Sequence, residues 1–262
     1  MASSNDTIKQ TLIVAFSLCV VCSILVSGAA VILKPIQDAN KILDRNKNIL
    51  SAAGLFDPEQ HTDADVDGLF TQFNPRIVDI EQGRFLDDSE VAQLGIDLDT
   101  YDPRRAISDP RYSRALSSAE DVAKIKRQLL YPMVYVVESE EGIGQIVVPI
   151  SGYGLWGILY GFLALEGDAN TVTGIGFYEL KETPGLGAEV TNPSWRDLWP
   201  GKKIYSNEGD VALRVVRGSG SGENQISGLA GATLTSRGVE NLIQFWMGES
   251  GFGPFLQSMR RS

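Results

Sequence analysis

The segment Ser227–Ser236, "SGLAGATLTS", brings three hydroxyl groups to the start of a sequence that predicts an amphipathic helix. Thr233, Thr235 and Ser236 carry these hydroxyls, and two glycines before them leave the backbone accessible. Because a helix N-terminus attracts anions through its free N–H groups and its dipole, a phosphate would be stabilised here. A plain N-cap explains Thr235 and Ser236 equally well, but it leaves Thr233 without a role.

A second candidate is the turn Glu182–Val190, "ETPGLGAEV", which follows a predicted strand. Its glycines allow backbone amides to approach a planar or anionic ligand closely, because no Cβ stands in the way. The turn lacks both the G-x-G-x-x-G pattern of dinucleotide sites and the G-K-[ST] of phosphate-binding loops. A ligand-binding turn and a purely structural turn both fit this composition.

Residues that often bind metals or act as bases are scarce or badly spaced. The segment Asp63–Gly68, "DADVDG", resembles the opening of a calcium loop, but position 12, which needs a bidentate Glu, is Asn74. His61 is the only histidine, so a histidine-based triad or metal site lacks a second member. We therefore expect an acidic surface loop, a surface histidine, no catalytic residue and no metal site.

An uncharged run, Thr11–Leu33, precedes these segments. It is long enough to cross a bilayer as a helix, and a cleaved secretory signal is the alternative. Because the run exceeds the usual apolar region of a signal, we predict a retained transmembrane helix at 11–33 after a short cytoplasmic tail at 1–10. Lys9 and Lys34 flank the run and do not orient it.

Cys19 and Cys22 lie one turn apart inside the same run. Their C-x-x-C spacing could hold zinc or form a disulfide, but the apolar surroundings contain no histidine or carboxylate. We interpret both as small residues that face lipid or another helix.

Residues 34–130 are predicted to form a juxtamembrane helix and the N-terminal part of the soluble region. Apolar residues recur at helical intervals from Ile36 to Ala53. The polar stretch 57–130 has little periodicity, and only Val122–Leu130, "VAKIKRQLL", is predicted to be helical.

Residues 131–262 have the pattern of an α+β domain. Strand-like runs alternate with acidic or glycine-bearing turns, at 131–138, 143–150, 158–165, 171–180 and 211–218. The run Gly152–Leu165 is too short and too rich in glycine for a second membrane span, so buried strands with a tight turn are predicted. A final helix follows, with Thr235 or Ser236 predicted to cap it and Gly248 to end it.

The net charge of −10 and the lack of a basic stripe argue against a nucleic-acid partner.

Several motifs in order resemble one family. "SGLAGATLTS" and "ETPGLG", behind one N-terminal span, are similar to the FMN-binding subunits of Na+-translocating NADH:quinone reductase and of the related Rnf electron-transport complex. The family of C subunits of the sodium enzyme is the closer match, since the resemblance extends to "GLW" at 154–156, "NPSWRDLWPGKK" at 192–203 and "FWMGESGFGPFL" at 245–256.

The resemblance implies a covalent flavin. In this family a separate flavin transferase, with FAD as donor, attaches FMN through its phosphate to the threonine of a D-x-x-[ST]-G-A-T motif. That threonine is Thr233 here, and Thr235 is the second choice. The chain departs from the motif at Ser227, where the family has Asp, and at Ala230, where it has Ser or Thr. The flavin pocket implied by the resemblance further comprises Gly231, Ala232, Leu234, Glu182, Thr183, Gly185, Leu186, Gly187, Leu155 and Trp156.

The function implied is that of an electron carrier in a larger enzyme. The chain would be one subunit of a six-subunit Na+-translocating NADH:quinone reductase, anchored by a single helix in the bacterial inner membrane, with its soluble domain on the periplasmic side. The lipid bilayer, the other subunits and the flavin transferase would be its partners. An Rnf-type FMN subunit and a membrane-anchored binding module without redox activity are the alternatives.

Overall fold

A computed structural model describes residues 8–140 and 142–260 of the chain, which divides after Asp44 into two compact units. Helices and strands are mixed, as predicted for an α+β fold behind a long N-terminal helix. The helices of the described ranges are α1 (Ile8–Ala52), α2 (Val66–Phe70), α3 (Asp88–Gln93), α4 (Pro103–Ala106), α5 (Pro193–Arg196), α6 (Thr233–Met247) and α7 (Gly253–Arg260), with 3-10 helices at Asp63–Asp65 and Gly187–Thr191. The strands are β1 (Asn74–Asp79), β2 (Arg84–Phe85), β3 (Ser113–Ala115), β4 (Arg127–Leu129), β5 (Met133–Ser139), β6 (Gly142–Tyr153), β7 (Ile158–Glu166), β8 (Val172–Glu179), β9 (Arg214–Val216) and β10 (Gln225–Ser227).

The N-terminal helix α1 is long and apolar enough to cross a membrane, by length and composition. Among the described residues it is the only helix that meets this criterion. It runs without a break through Pro35 to Ala52, so the predicted juxtamembrane helix is the continuation of the predicted span. Cys19 and Cys22 are both exposed on this helix.

The domain is organised around one antiparallel sheet of six strands in the order β2-β1-β5-β6-β7-β8. Strands β6 and β7 pair from Gln145 opposite Glu166 to Tyr153 opposite Ile158. The turn Gly154–Gly157 therefore joins two long buried strands, which confirms the prediction of a hairpin over a second membrane span.

Helix α6 packs on one face of this sheet, against β6. A Cβ on Gly152 would lie 2.5 Å from the Cβ of Leu242, so glycine lets the helix approach the strand closely. The indole Nε1 of Trp246 donates a hydrogen bond of 2.7 Å to the carbonyl of Ser151. These contacts place the apolar stripe predicted from the sequence in the core, and Gly248 ends the helix as predicted.

The opposite face of the sheet carries aromatic rings and the last turns of α1. The rings of Tyr135 and Phe162 lie 6.1 Å apart, and those of Phe162 and Tyr178 stack at 5.4 Å. A Cβ on Gly174 would lie 2.5 Å from the carbonyl oxygen of Ala52. Each face of the sheet is thus in contact with a helix.

Side chains of α5 connect the sheet to β10, the strand that precedes α6. The indole of Trp195 donates a 2.9 Å hydrogen bond to the carbonyl of Ser227, the last residue of β10. The neighbouring Arg196 donates through Nε to the carbonyl of Ile175 on β8 at 2.8 Å, and its burial lowers the pKa of the guanidinium. β10 is therefore held in place from the side of the sheet.

The prediction of a helix at Val122–Leu130 is wrong. Both oxygens of the Asp121 carboxylate accept backbone N–H groups, from Ile125 and Lys126 at 2.8 Å, and this hydrogen bonding favours a turn over a helix. Lys124 and Lys126 adopt positive φ angles of 55° and 66°. The chain then enters β4, which pairs with β3.

Sequence analysis also missed β1, which adds a strand from the polar stretch to the sheet. Its Pro75 obscures the strand pattern because proline cannot donate to a ladder. The strand tolerates Pro75 because residues 74–77 pair with β5 on one side, whereas β2 pairs only with Val78 and Asp79 on the other.

We predict that Gly238→Ala destabilises the domain, because the close contact of α6 with the end of β6 has no room for a side chain. The added Cβ would overlap the carbonyl oxygen of Tyr153 and lie 3.0 Å from the Cα of Gly154. We expect a loss of about 1–3 kcal/mol, measured as a lower thermal unfolding midpoint of the full chain in detergent.

Gly68→Ala on α2 is the matched control, since no atom lies within 4 Å of its added Cβ. We expect it to leave the midpoint unchanged or slightly higher. Equal midpoints for the two variants would contradict the packing of α6 against β6.

Candidate functional site

A buried carboxylate connects three segments that lie far apart in the sequence. Glu182, only 6% exposed, follows β8. Its Oε1 accepts the backbone N–H groups of Leu155 and Trp156 at 2.9 and 3.0 Å. Its Oε2 accepts the hydroxyl of Thr235 on α6 at 2.6 Å. One side chain thus holds the β6–β7 turn and the start of α6 together.

Two glycines allow this carboxylate to be enclosed by backbone. A Cβ on Gly154 would lie 2.6 Å from Oε1 of Glu182. A Cβ on Gly187 would overlap Oε2 of Glu182 and lie 2.5 Å from the Thr235 hydroxyl oxygen. Gly154 of the "GLW" motif and Gly187 of the "ETPGLG" motif are therefore required for packing around Glu182.

The turn at 182–187 also contacts the loop before α6. Gly185 and Gly231 adopt the left-handed conformation, with φ of 76° and 77°. A Cβ on Gly231 would lie 3.4 Å from Cδ2 of Leu186, so the leucine side chain packs beside the glycine backbone. Thr183 is exposed, and its carbonyl accepts the N–H groups of Leu186 and Ala188 at 3.1 Å.

Helix α6 begins earlier than predicted and has no side-chain cap. Its N-cap is Ala232, so Thr233 is the first helical residue. The prediction that Thr235 or Ser236 caps the helix is wrong, because both lie within its first turns. Thr235 bonds to Glu182, while the Ser236 hydroxyl donates to the carbonyl of Ala232 at 3.0 Å and accepts the N–H of Leu229 at 2.9 Å.

The three hydroxyls therefore have different surroundings. Thr235 and Ser236 are buried and hydrogen-bonded within the protein, whereas Thr233 is exposed at the helix N-terminus. The first N–H groups of a helix lack intrahelical partners, and Ala232 has no side-chain acceptor for them. An anion at Thr233 would meet these donors and the positive end of the helix dipole.

Exposed apolar side chains concentrate around these segments. In the described part of the unit Arg45–Ser262, seven large apolar residues are exposed. Five of these seven lie in or next to the three segments that Glu182 connects. These five are Tyr153, Leu155, Trp156, Leu186 and Leu234, and Trp156 is 61% exposed. Such a surface suits one face of a planar aromatic ligand.

The contacts of Glu182 and of Leu186 bring together most of the residues that sequence analysis assigned to the flavin pocket. Sequence analysis missed Tyr153 and Gly238, and it quoted Gly154 in the "GLW" motif without assigning it to the pocket. An isolated glycine within a helical pattern, such as Gly238, is a signal of close backbone approach that could have been used.

Of the two departures from the family motif, only Ser227 makes a side-chain hydrogen bond. The Ser227 hydroxyl accepts the N–H of Gly220 at 3.0 Å, so it orders the glycine-rich loop beside β9. Ala230 is exposed. Neither side chain contributes to the hydrogen bonds of Glu182.

A family model and the relatives of this chain point to the same kind of protein. The family model described as "FMN-binding domain" matches residues 154–248, which include all three segments. The C subunit of the Na(+)-translocating NADH-quinone reductase from Pseudomonas aeruginosa is 46% identical over 100% of this chain and 99% of its own. The proteins of the same name from Vibrio anguillarum and Yersinia pestis are 44% and 42% identical, over 99% and 98% of this chain and 98% and 95% of their own.

Two solved structures have a similar fold. The crystal structure of Shewanella oneidensis NqrC has a TM-score of 0.74 at 31% identity and covers 86% of this chain and 100% of its own. The crystal structure of the corresponding protein from Parabacteroides distasonis, at 24% identity and a TM-score of 0.63, shares the fold over 86% of this chain and 96% of its own. These comparisons do not favour an Rnf-type subunit or a module without redox activity.

We predict that Thr235→Val destabilises the domain, because it leaves Oε2 of the buried Glu182 without its hydroxyl donor. The substitution nearly keeps the side-chain volume, so the effect reports the lost hydrogen bond. We expect a loss of about 1–3 kcal/mol, seen as a lower thermal unfolding midpoint.

Thr191→Val is the control, since the Thr191 hydroxyl is exposed and donates only to the carbonyl of Ala188. It is expected to change the midpoint little. If both valine variants melted alike, the hydrogen bond of Thr235 to Glu182 would not be a stabilising contact.

Proposed function

The chain belongs to the family of C subunits of the Na(+)-translocating NADH-quinone reductase, and we propose that it carries FMN covalently on Thr233 and relays electrons within that enzyme. The observation that carries this proposal is the contrast between two hydroxyls of the "GATLTS" segment. Thr233 is exposed at the first turn of α6, whereas Thr235 is 1% exposed and bonded to Glu182.

The surroundings of Thr233 fit a phosphoryl group. The uncapped first turn of α6 offers N–H donors and the positive end of the helix dipole to an anion. Gly231, in the left-handed conformation, brings the backbone to this turn without a side chain that would crowd the phosphate. Attachment at Thr235 would require breaking a buried hydrogen bond to a carboxylate, which supports Thr233 over Thr235.

The neighbouring apolar surface fits the flavin ring. Leu155, Trp156, Leu186 and Leu234 are exposed and belong to segments held by Glu182. In this proposal their side chains cover part of the isoalloxazine and exclude water from it, which affects its potential. Backbone amides of the 183–187 turn are available for the polar edge of the ring.

The attachment requires a separate enzyme. No histidine or cysteine stands near Thr233 in the sequence, and a threonine hydroxyl without such a base is a poor nucleophile. We propose that a flavin transferase directs the Thr233 oxygen to the FMN phosphorus of FAD. A P–O bond forms to threonine, the phosphoanhydride bond breaks, AMP leaves, and the hydroxyl proton is released.

When bound, FMN would accept and donate electrons singly, and the protein supplies its tether and pocket. The phosphodiester fixes one end of the flavin at α6, while Glu182 holds the turn that lines the ring. NADH oxidation and the sodium path would belong to other subunits of a six-subunit enzyme. On this account the chain alone is an electron carrier.

We further propose a single-pass protein of the bacterial inner membrane, anchored in the lipid bilayer by α1, with the soluble domain on the periplasmic side. The length and composition of α1 and the family support the anchor. The predicted boundary of the FMN-binding domain at residue 131 also remains a proposal, and β1 pairs with β5 across it.

We predict that only the Thr233 hydroxyl is essential for flavin attachment. The full chain, produced with an active flavin transferase, should be heavier than its sequence mass by FMN less one water. Thr233→Ala should have the unmodified mass and show no flavin fluorescence in a denaturing gel.

Thr233→Ser, which keeps a hydroxyl at the same place, is the matched control and should retain some flavin. Thr235→Val should still carry FMN if it folds. A modified Thr233→Ala chain, or loss of flavin in Thr235→Val with normal folding, would refute the assignment to Thr233.

A further inference from the structure

Arg237 lies one helical turn after Thr233 on the exposed side of α6. Residues four apart on a helix are neighbours on the same face. Side chains on a helix lean towards its N-terminus, so a long side chain at position 237 covers the turn that carries Thr233 and Leu234. Its guanidinium is therefore within reach of a group attached to the Thr233 oxygen.

Arg237 has no hydrogen bond or ion pair in the part of the chain that the structure describes. The carboxylate nearest to it along α6 is Glu240, and this side chain pairs with Arg214 at 3.6 Å. Exposed arginines elsewhere differ in this respect, since Arg111 pairs with Asp109 at 2.6 Å, whereas Arg217 has no ion pair among the described residues either. The Arg237 guanidinium is therefore available to an anion at the start of α6.

The start of α6 also lacks a side-chain cap. Its first turn contains no acidic residue, and Ala232 offers no side-chain acceptor. A helix normally meets its first N–H groups with an Asp, Asn, Ser or Thr cap. Here the free donors of the first turn and the cation of Arg237 flank the same exposed hydroxyl.

We propose that Arg237 is a positioning residue that pairs with the phosphate of the flavin on Thr233. This inference rests on the proposed function. The phosphodiester keeps one negative charge, shared by two non-bridging oxygens. A planar guanidinium can donate to both of these oxygens, whereas the amides of the first turn address the phosphate from the other side. Arg237 thereby fixes the direction in which the flavin leaves α6.

The test is the phosphorus NMR spectrum of the full-length flavinylated chain in detergent. Arg237→Gln should shift the phosphodiester resonance, and Arg237→Lys should shift it less because a cation remains. Arg111→Gln, which removes an exposed arginine paired elsewhere, is the matched control and should leave the resonance in place. A resonance that is the same in wild type and Arg237→Gln would overturn the pairing while leaving flavin attachment intact.

A thermal unfolding cycle provides a second readout. Arg237→Gln should lower the unfolding midpoint of the flavinylated chain by about 2–4 °C and leave the midpoint of the unmodified Thr233→Ala chain unchanged. An equal decrease in both backgrounds would mean that Arg237 stabilises the fold without the phosphate, which overturns the proposal.

Intact mass distinguishes a failure of the proposed function from a failure of the pairing of Arg237 with the phosphate. A wild-type chain without FMN, from a host with active transferase, would refute the proposed function and this inference together. If Arg237→Gln folds but carries no flavin, restoration by Arg237→Lys supports a charge contact with the phosphate. Loss of flavin in both variants overturns it, because the transferase would then require the shape of arginine itself.

Discussion

The hydrogen bonds of the Glu182 carboxylate are the constraint on which the site depends. A buried carboxylate is costly unless donors surround it, and here two backbone N–H groups and one hydroxyl do so. The donors come from the β6–β7 turn and from α6, so satisfying this one charge fixes both elements relative to the end of β8. The glycines at 154 and 187 are needed because any side chain there would contact the carboxylate.

In this arrangement two hydroxyls of the "GATLTS" segment hold the structure together and one stays accessible. Thr235 completes the shell of Glu182, and Ser236 ties the incoming loop to the helix. Thr233, which neither contact needs, remains exposed between an uncapped helix end and apolar side chains. The same segment can therefore hold the fold together and leave one hydroxyl accessible, the one proposed to carry FMN.

Much of the fold follows from the sequence because the strands β5 to β8 and the apolar stripe of α6 have clear periodicity. The helix predicted at 122–130 failed because Asp121 captures two backbone N–H groups through side-chain contacts that periodicity does not encode. The cap was misassigned because Thr235 finds a partner 53 positions away in Glu182. Such long-range partners become visible only in three dimensions.

Hydrogen exchange of Glu182→Ala tests most directly whether this carboxylate holds the site together. We expect the amides of Leu155 and Trp156 to exchange faster than in the wild-type chain, because their acceptor is gone, while amides in the paired centre of β6 and β7 keep their protection. Unchanged exchange at Leu155 and Trp156 would contradict the account, since the turn would then be held without Glu182.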